Sequence, residues 1–338
     1  MKKPKQPESG TDRIVEILKE MEKDKLRNEL QWMKGDGAVS DITASSSGIL
    51  SLDIALGIGG YPHGRIVEVY GENATGKSTI TLQAIAEIQR CGGIAALVDA
   101  EFASDMSYSA HLGVDVENLL INQPSCGEQA LEVMLSLAGK LTKGDIIVVD
   151  SVAALVPQAE LDGEMTDHHM GLQARMMGQA LRKLMGIAAR SGVIVFFTNQ
   201  TRVKLNVTYG DPTETPGGKA LKFASSVRLE VQKKAHIKEG DTIFGNITEI
   251  RVVKNKCAPP YRTAKTEIRY GEGVPRSLDV LLLGMSSGVV EKSGAWLTFG
   301  GNSLGQGKDK SWQYLKDNLE VLDKLEQAVR EKFGLTGR

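Results

Sequence analysis

Hydrophobic residues follow two different periods along most of the chain. Between residues 39 and 274, short apolar runs alternate with longer stretches in which apolar residues recur every three or four positions. The runs are rich in Val and Ile and nearly free of polar residues, a pattern typical of strands buried on both faces. They occupy 66–70, 94–99, 146–150, 193–198, 227–231 and 247–253, and the helical stretches occupy 78–90, 127–138 and 171–190. This order predicts an α/β domain with a mostly parallel, twisted sheet flanked by helices.

The two ends of the chain have different patterns. From Thr11 onwards, apolar residues recur on one face of an amphipathic helix, and glycines 35 and 37 end that segment. After Pro275 a small mixed region leads into a last helix that has Leu322, Leu325 and Val329 on one face. We therefore predict an N-terminal helix region at 1–38, a core at 39–275 and a small α+β C-terminal domain at 276–338.

The composition limits the possible functions. Of the 338 residues, 41% are hydrophobic and 25% are charged, and the formal net charge is −1. Any affinity for DNA must therefore come from local clusters of Lys and Arg. The three cysteines form no C-x-x-C pair, which argues against a zinc ribbon or a disulfide framework. No apolar run approaches the ~20 residues of a membrane span, and no apolar segment follows the basic N-terminus, so a cytoplasmic protein is expected.

A nucleotide-binding motif follows the first apolar run of the core. The residues are Gly71, Glu72, Asn73, Ala74, Thr75, Gly76, Lys77 and Ser78, which fit G-x-x-x-x-G-K-[ST] between a strand and a helix. Glycines let the backbone wrap a phosphate, while the helix N-terminus and Lys77 favour its negative charge. The hydroxyl of Ser78 is suited to Mg²⁺. The motif therefore predicts binding of ATP with Mg²⁺.

Two further carboxylates are expected beside this motif. Asp150 ends the apolar run at 146–150 and fits a Walker B residue that holds Mg²⁺ together with Ser78. Glu101 follows another run, whose carboxyl end should lie on the same edge of the sheet. There Glu101 could polarise the attacking water, although a surface acidic turn is the alternative reading.

Two long segments lack periodicity and carry cations. Residues 199–222 contain several glycines and prolines together with Arg202, Lys204 and Lys219. A loop of this length in a compact domain is usually functional or disordered, and a basic, Gly-rich loop can close over a phosphate backbone. The second segment, 162–170, leads into a helix on which Arg175 and Arg182 lie two turns apart on one face.

These residues together resemble the bacterial RecA family, from about residue 45 to residue 320. The runs that carry the resemblance are SLDIALG at 51–57, GRIVEVYG at 64–71, VDSVAAL at 149–155, HMGL at 169–172, ARMM at 174–177, NQ at 199–200, GGKALKF at 217–223, VVKNK at 252–256, GAW at 294–296 and GQGK at 305–308. The sequence departs from the family pattern at Asn73, where an acidic residue is usual, and at Lys219, where a polar amide is usual.

The resemblance implies roles for residues of the nucleotide site. Glu101 corresponds to the catalytic carboxylate, and Gln200 to a residue that senses the γ-phosphate and relays it to the DNA loops. Lys254 and Lys256 correspond to a pair that reaches ATP from the neighbouring protomer. Without the resemblance, we would read these two lysines as a solvated basic loop. The remaining nucleotide contacts that the resemblance implies are Thr79, Asp105, Tyr108 and Tyr270.

The resemblance also implies the DNA contacts and the partners. Met170 and Leu205 correspond to apolar side chains that wedge between base triplets, and Gly217 and Gly218 belong to the second DNA loop. Lys292 and Lys308 correspond to positions linked to duplex binding. The implied protein is an ATP-dependent recombinase, a helical homo-oligomer that binds single-stranded and double-stranded DNA and catalyses homologous pairing and strand exchange. Its N-terminal helix would dock on the next protomer.

Three alternatives remain open from the residues themselves. A hexameric helicase or motor with the same core would form a closed ring, and a small-molecule P-loop kinase would need a lid and an acceptor pocket. A third alternative is a filament or regulatory protein that binds ATP but barely hydrolyses it. The sequence also leaves open whether the filament triggers cleavage of a LexA-type repressor.

Overall fold

The computed structural model describes residues 10–23, 42–164, 171–203 and 213–335. Three predicted DNA contacts, Met170, Lys204 and Leu205, lie outside the described residues. The chain divides into two units between residues 41 and 42. The first unit contains the helix α1 (Gly10–Lys23), as the N-terminal apolar pattern predicts, with Ile14 and Ile17 exposed on it.

The described part of the second unit contains ten further α-helices and fifteen strands. The helices are α2 Leu50–Leu56, α3 Lys77–Arg90, α4 Met106–His111, α5 Gly127–Ala138, α6 Gln158–Leu161, α7 Leu172–Ser191, α8 Lys219–Ala224, α9 Arg276–Ser287, α10 Gly307–Asp317 and α11 Leu319–Lys332. The strands are β1 Ala44–Ser45, β2 Tyr61–Pro62, β3 Ile66–Gly71, β4 Ala95–Asp99, β5 Leu119–Asn122, β6 Ile146–Asp150, β7 Ile194–Gln200, β8 Arg202–Val203, β9 Thr213–Glu214, β10 Val227–Glu239, β11 Thr242–Asn255, β12 Thr263–Arg269, β13 Glu291–Ser293, β14 Trp296–Phe299 and β15 Asn302–Gln306.

An eight-stranded sheet organises the core, in the order β12-β11-β10-β3-β7-β6-β4-β5. The six strands from β10 to β5 are parallel, while β11 runs antiparallel to both β10 and β12. The carboxyl ends of β3, β4, β6 and β7 consequently meet at one edge. The prediction of an α/β fold with a mostly parallel sheet is confirmed.

Helices cover both faces of this sheet. On one face, Ile80, Ala84 and Ile88 of α3 pack with Leu52 and Leu56 of α2 against buried strand residues. On the other face, α5, α7 and α8 enclose a second core that includes Met134, Leu184 and Phe197. Burial on both faces explains why the central strands are almost continuously apolar.

The C-terminal part has its own apolar cluster. The antiparallel sheet β13-β14-β15 packs with α9, α10 and α11, and the predicted stripe of Leu322, Leu325 and Val329 is buried in that cluster. Leu50 of α2 joins the same cluster. The domain boundary at residue 275 stays a prediction.

Several elements differ from the predicted ones. β10 and β11 extend well beyond 227–231 and 247–253: the outer half of β10 is mostly polar and exposed, and the first residues of β11 have no continuous apolar run. β5 and β12 were not predicted, since the apolar run of β5 is only four residues long and β12 is largely polar. Parts of the segment 199–222 that were predicted to be structureless are regular: β7 continues to Gln200, β8 pairs with β9, and α8 begins at Lys219.

No helix among the described residues is long and apolar enough to cross a membrane.

Candidate nucleotide site and DNA-binding loops

The G-x-x-x-x-G-K-[ST] segment connects β3 to the N-terminus of α3, as the motif requires. Gly76 precedes the helix with φ of 100°, and a Cβ there would lie 2.2 Å from Ile268 Cδ1, so both conformation and space require glycine. Lys77 Nζ donates to the carbonyl oxygens of Gly71 at 3.1 Å and Glu72 at 2.7 Å. Burial lowers the pKa of Lys77, and the carboxylates of Asp150 and Glu101 oppose that shift. The ammonium group is therefore held at the mouth of the loop.

The hydroxyl of Ser78 and the carboxylate of Asp150 form the predicted metal-ligand pair. Ser78 Oγ donates to Asp150 Oδ2 at 3.2 Å, and Thr198 of β7 donates to the other carboxylate oxygen. Burial raises the pKa of Asp150, and the hydrogen bond from Thr198 works against the increase. A hydroxyl and a carboxylate are hard oxygen ligands that suit Mg²⁺, which binds through one or two protein groups plus substrate phosphates.

The structure brings Glu101 and Gln200 together. β4 and β6 are neighbours with Asp99 opposite Asp150, so Glu101 follows its strand beside the Walker B strand. The Glu101 carboxylate accepts a hydrogen bond from Ser151 Oγ and another from Gln200 Nε2, the latter at 3.3 Å. Gln200 is the last residue of β7, and the basic segment begins directly after it.

Asp105 and Tyr108 lie at the start of α4, beside α3. The Asp105 carboxylate caps α4 by accepting from the backbone N–H groups of Ser107 and Tyr108. The Tyr108 hydroxyl lies 2.9 Å from Thr79 Oγ1. These residues flank a cavity of about 130 Å³ that Ser78, Glu101 and Asp150 also line.

Tyr270 directly follows β12 and is 55% exposed. Because β12 runs parallel to β3 and Ile268 contacts the position of Gly76, Tyr270 lies at the same edge of the sheet as the P-loop. Its hydroxyl donates to Asn246 Oδ1 at 3.3 Å.

Lys254 and Lys256 lie at the opposite edge of the sheet. β11 is antiparallel to β10, so its final residues pair with the start of β10, and Val227 pairs in turn with Val67 at the start of β3. Lys254 Nζ donates to the carbonyls of Lys222 at 2.7 Å and Phe223 at 3.2 Å, at the end of α8. Burial and the neighbouring Lys256 lower the pKa of Lys254. The sheet thus separates these lysines from the P-loop of their own chain.

The described residues of the two predicted DNA loops lie after β7, at the start of α8 and on α7. Gly217 and Gly218 both have positive φ, and a Cβ on Gly217 would lie 2.7 Å from Val152 Cγ1. Lys219 begins α8 and is exposed. Arg175 and Arg182 are exposed on α7, two turns apart as predicted, and Arg202 lies in β8.

The two predicted lysines of the C-terminal part have different surroundings. Lys292 is exposed on β13. Lys308, in the first turn of α10, forms an ion pair with Glu267 of β12 at 2.8 Å. That ion pair links the C-terminal part to the sheet.

Sequence reasoning missed several polar residues around the site. Ser151 and Thr198 bind the two central carboxylates, and Glu68 lies completely buried on β3 beside Arg228 and Asn199. A signal for Glu68 exists in the sequence, since it is the one charged residue of an otherwise apolar strand. Its partners depend on the strand order β10-β3-β7, which no local pattern contains.

The fold and the site define a P-loop nucleotide-binding protein. A parallel sheet places a phosphate-binding loop, a Walker B carboxylate and a second carboxylate at one edge, and a basic segment follows the strand beside them.

Comparison with known proteins identifies the family. Residues 12–275 match the family model of the RecA N-terminal domain, and residues 279–334 match that of the RecA C-terminal domain. Protein RecA of Macrococcus caseolyticus is 50% identical over 319 residues, which cover 94% of this chain and 90% of that protein. Protein RecA of Clostridium tetani is 52% identical over 301 residues, covering 89% and 86%. The chain belongs to the RecA family.

This membership confirms the predicted function at the level of the family. RecA proteins are DNA-dependent ATPases of recombination and repair that bind nucleotide, bind DNA and form filaments. The chain is accordingly a DNA-dependent ATPase of recombination and repair.

Proposed function

We propose that this chain polymerises on single-stranded DNA with ATP and Mg²⁺ at each protomer interface and catalyses homologous pairing and strand exchange. The observation that carries the proposal is the hydrogen bond between Gln200 and Glu101. It connects the residue that precedes a DNA loop directly to the proposed catalytic carboxylate. One hydrogen bond therefore connects the proposed site of ATP hydrolysis to the segment proposed to bind DNA.

Each residue at the P-loop edge has a defined task in this proposal. The backbone N–H groups of residues 71–79 and the N-terminus of α3 bind phosphate oxygens, and Lys77 neutralises the outer phosphates. Ser78 and Asp150 hold Mg²⁺, which when bound neutralises charge on the β- and γ-phosphate oxygens. Asp105, Tyr108 and Tyr270 hold the adenine.

Glu101 orients and polarises the water that attacks the γ-phosphorus. Its carboxylate is already fixed by Ser151 and Gln200, so little reorganisation is needed before reaction. Gln200 senses the γ-phosphate, so the conformation of the loop that follows Gln200 depends on whether the γ-phosphate is bound.

The position of Lys254 and Lys256 supports hydrolysis between protomers. Because they lie at the sheet edge opposite their own P-loop, they would stabilise phosphoryl charge only at the site of a neighbouring protomer. A head-to-tail contact of this kind does not close on itself and generates a helical filament. In this proposal α1 docks on the adjacent protomer.

The proposed DNA path runs along the two loops. Exposed Arg175, Arg182 and Lys219 contact phosphates together with Arg202 and Lys204, and Gly217 and Gly218 let the backbone approach the strand. Met170 and Leu205 supply apolar wedges between base triplets, which replace the stacking that stretched DNA loses. Lys292 and Lys308 contribute to duplex binding. The proposed setting is the cytoplasm, and a LexA-type repressor is a further proposed partner beside DNA.

ATP turnover with and without single-stranded DNA tests this function. We expect DNA to accelerate turnover by the wild-type chain, and Gln200→Ala to reduce the acceleration by about tenfold, a typical coupling between sites. Gln89→Ala is the matched control, since the Gln89 side chain bonds the backbone of Asp115 at the far end of α3. Equal turnover with and without DNA in the wild-type chain would contradict the proposed function.

A further inference from the structure

A buried polar network joins the P-loop strand to both ends of the second DNA loop. Its central acid is Glu68, which is 0% exposed on β3, three residues before the P-loop begins. Glu68 Oε2 accepts from Arg228 Nε at 2.5 Å, and the Arg228 guanidinium lies 4.4 Å from the centre of the Tyr70 ring. A buried carboxylate is costly unless it is paired and hydrogen-bonded in this way. Glu68 is therefore a fixed anchor.

Asn199 connects this anchor to the loop. The residue is 0% exposed on β7, between β3 and β6 in the sheet. Its Nδ2 group donates to Glu68 Oε1 at 3.3 Å and to the Pro216 carbonyl at 3.0 Å. Its Oδ1 accepts from the backbone N–H of Gln200 at 3.0 Å. The Asn199 amide is thus hydrogen-bonded to Gln200, where the loop begins, to Pro216, near where the loop ends, and to the buried Glu68 carboxylate.

We propose that Asn199 is the positioning residue through which the returning end of the DNA loop controls Gln200. This inference rests on the proposed function, in which Gln200 links DNA binding to ATP hydrolysis. A shift of Pro216 when DNA fills the loop changes one bond of Asn199, and the other bonds transmit that change to Gln200.

The surroundings of Asn199 favour such transmission over independent motion. Both Nδ2 hydrogens have acceptors and Oδ1 has a donor, and a buried polar group that loses its partner is costly. Pro216 therefore cannot move away unless Asn199 follows it. Gln200 Nε2 bonds Glu101, so the chain of contacts ends at the proposed catalytic carboxylate.

The test compares Asn199→Ala with Gln83→Ala. Gln83 also uses both ends of a side-chain amide to join separate segments, since it donates to the Val274 carbonyl and accepts from the Val274 N–H. Loss of the amide removes three hydrogen bonds at Asn199 and two at Gln83, and Gln83 has no contact with the loop among the described residues. The readouts are thermal unfolding, affinity for a fluorescent ADP analogue, and ATP turnover with and without single-stranded DNA.

We expect Asn199→Ala to bind ADP as the wild-type chain does and to lose about tenfold in the stimulation by DNA. Gln83→Ala should retain that stimulation at a similar melting temperature. If Asn199→Ala does not fold, Asn199→Leu replaces it, because an apolar side chain of similar volume fills the space of the amide and removes its hydrogen bonds without adding a buried charge.

The outcomes separate this inference from the proposed function. A wild-type chain without DNA stimulation would overturn the proposed function itself. A stimulated wild-type chain together with normal stimulation in the Asn199 variants would overturn only the role of Asn199. Equal loss of stimulation in Gln83→Ala would also overturn it, because the effect would then follow from general destabilisation.

Discussion

Replacement of Gly217 by alanine tests the packing at the returning end of the proposed DNA loop. The residue has φ of 85°, and the new Cβ would lie 2.7 Å from Val152 Cγ1. The left-handed backbone costs about 1 kcal/mol for alanine relative to glycine. The close contact adds about 2 kcal/mol, as is usual when a packed region must accept another methyl group. We therefore expect Gly217→Ala to lower the free energy of unfolding by about 3 kcal/mol.

Gly144→Ala provides the matched control for this prediction. Gly144 has φ of 97°, but no atom lies within 4 Å of the point that a Cβ would occupy, so only the backbone cost of about 1 kcal/mol applies. Urea denaturation gives both values. Because Val152→Ala would make room for the new methyl group, it should cost less in the Gly217→Ala background than in the wild-type chain. Equal destabilisation by the two glycine replacements would refute the packing argument.

Three further predictions concern stability, nucleotide binding and duplex DNA. Burial raises the pKa of Asp53 to about 7, so the folded chain holds this proton more tightly than the unfolded chain. That stabilisation is complete below about pH 4 and is lost as pH rises towards 7. Between these two pH values, the free energy of unfolding of the wild-type chain should fall by up to about 4 kcal/mol relative to that of Asp53→Asn, as measured by urea denaturation. Lys77→Ala should abolish ATP turnover while leaving the melting temperature nearly unchanged, and turnover near the wild-type rate would contradict the assignment. Lys292→Ala should weaken duplex binding at low salt more than Lys308→Ala does in a fluorescence titration, because Lys308 is already paired with Glu267; the reverse order would count against this explanation.

Much of the fold follows from local patterns. Strands buried on both faces must be apolar throughout, so β3, β4, β6 and β7 are evident in the sequence. The motif at 71–78 has one structural context, and parallel strands place their carboxyl ends together. The approach of Glu101 and Asp150 to the P-loop was therefore predictable.

The remaining features depend on contacts between distant segments. Polar strands such as β12 form because a neighbouring strand offers hydrogen bonds, and their own composition gives no signal. The bonds of Asn199 to Glu68 and Pro216 require β3 and β7 to be neighbours, which the strand order alone decides. The location of Lys254 at the end of α8 likewise depends on the register of β10 and β11.

The central claim, that ATP is hydrolysed between protomers of a filament on DNA, can be tested by mixing two inactive variants. One carries Lys254→Ala with Lys256→Ala, and the other carries Glu101→Ala. In a random equal mixture, about one quarter of the head-to-tail interfaces combine intact lysines with an intact Glu101, so DNA-dependent turnover should recover to about a quarter of the wild-type rate. Each variant alone should stay inactive. No recovery in filaments shown to contain both variants would contradict the claim.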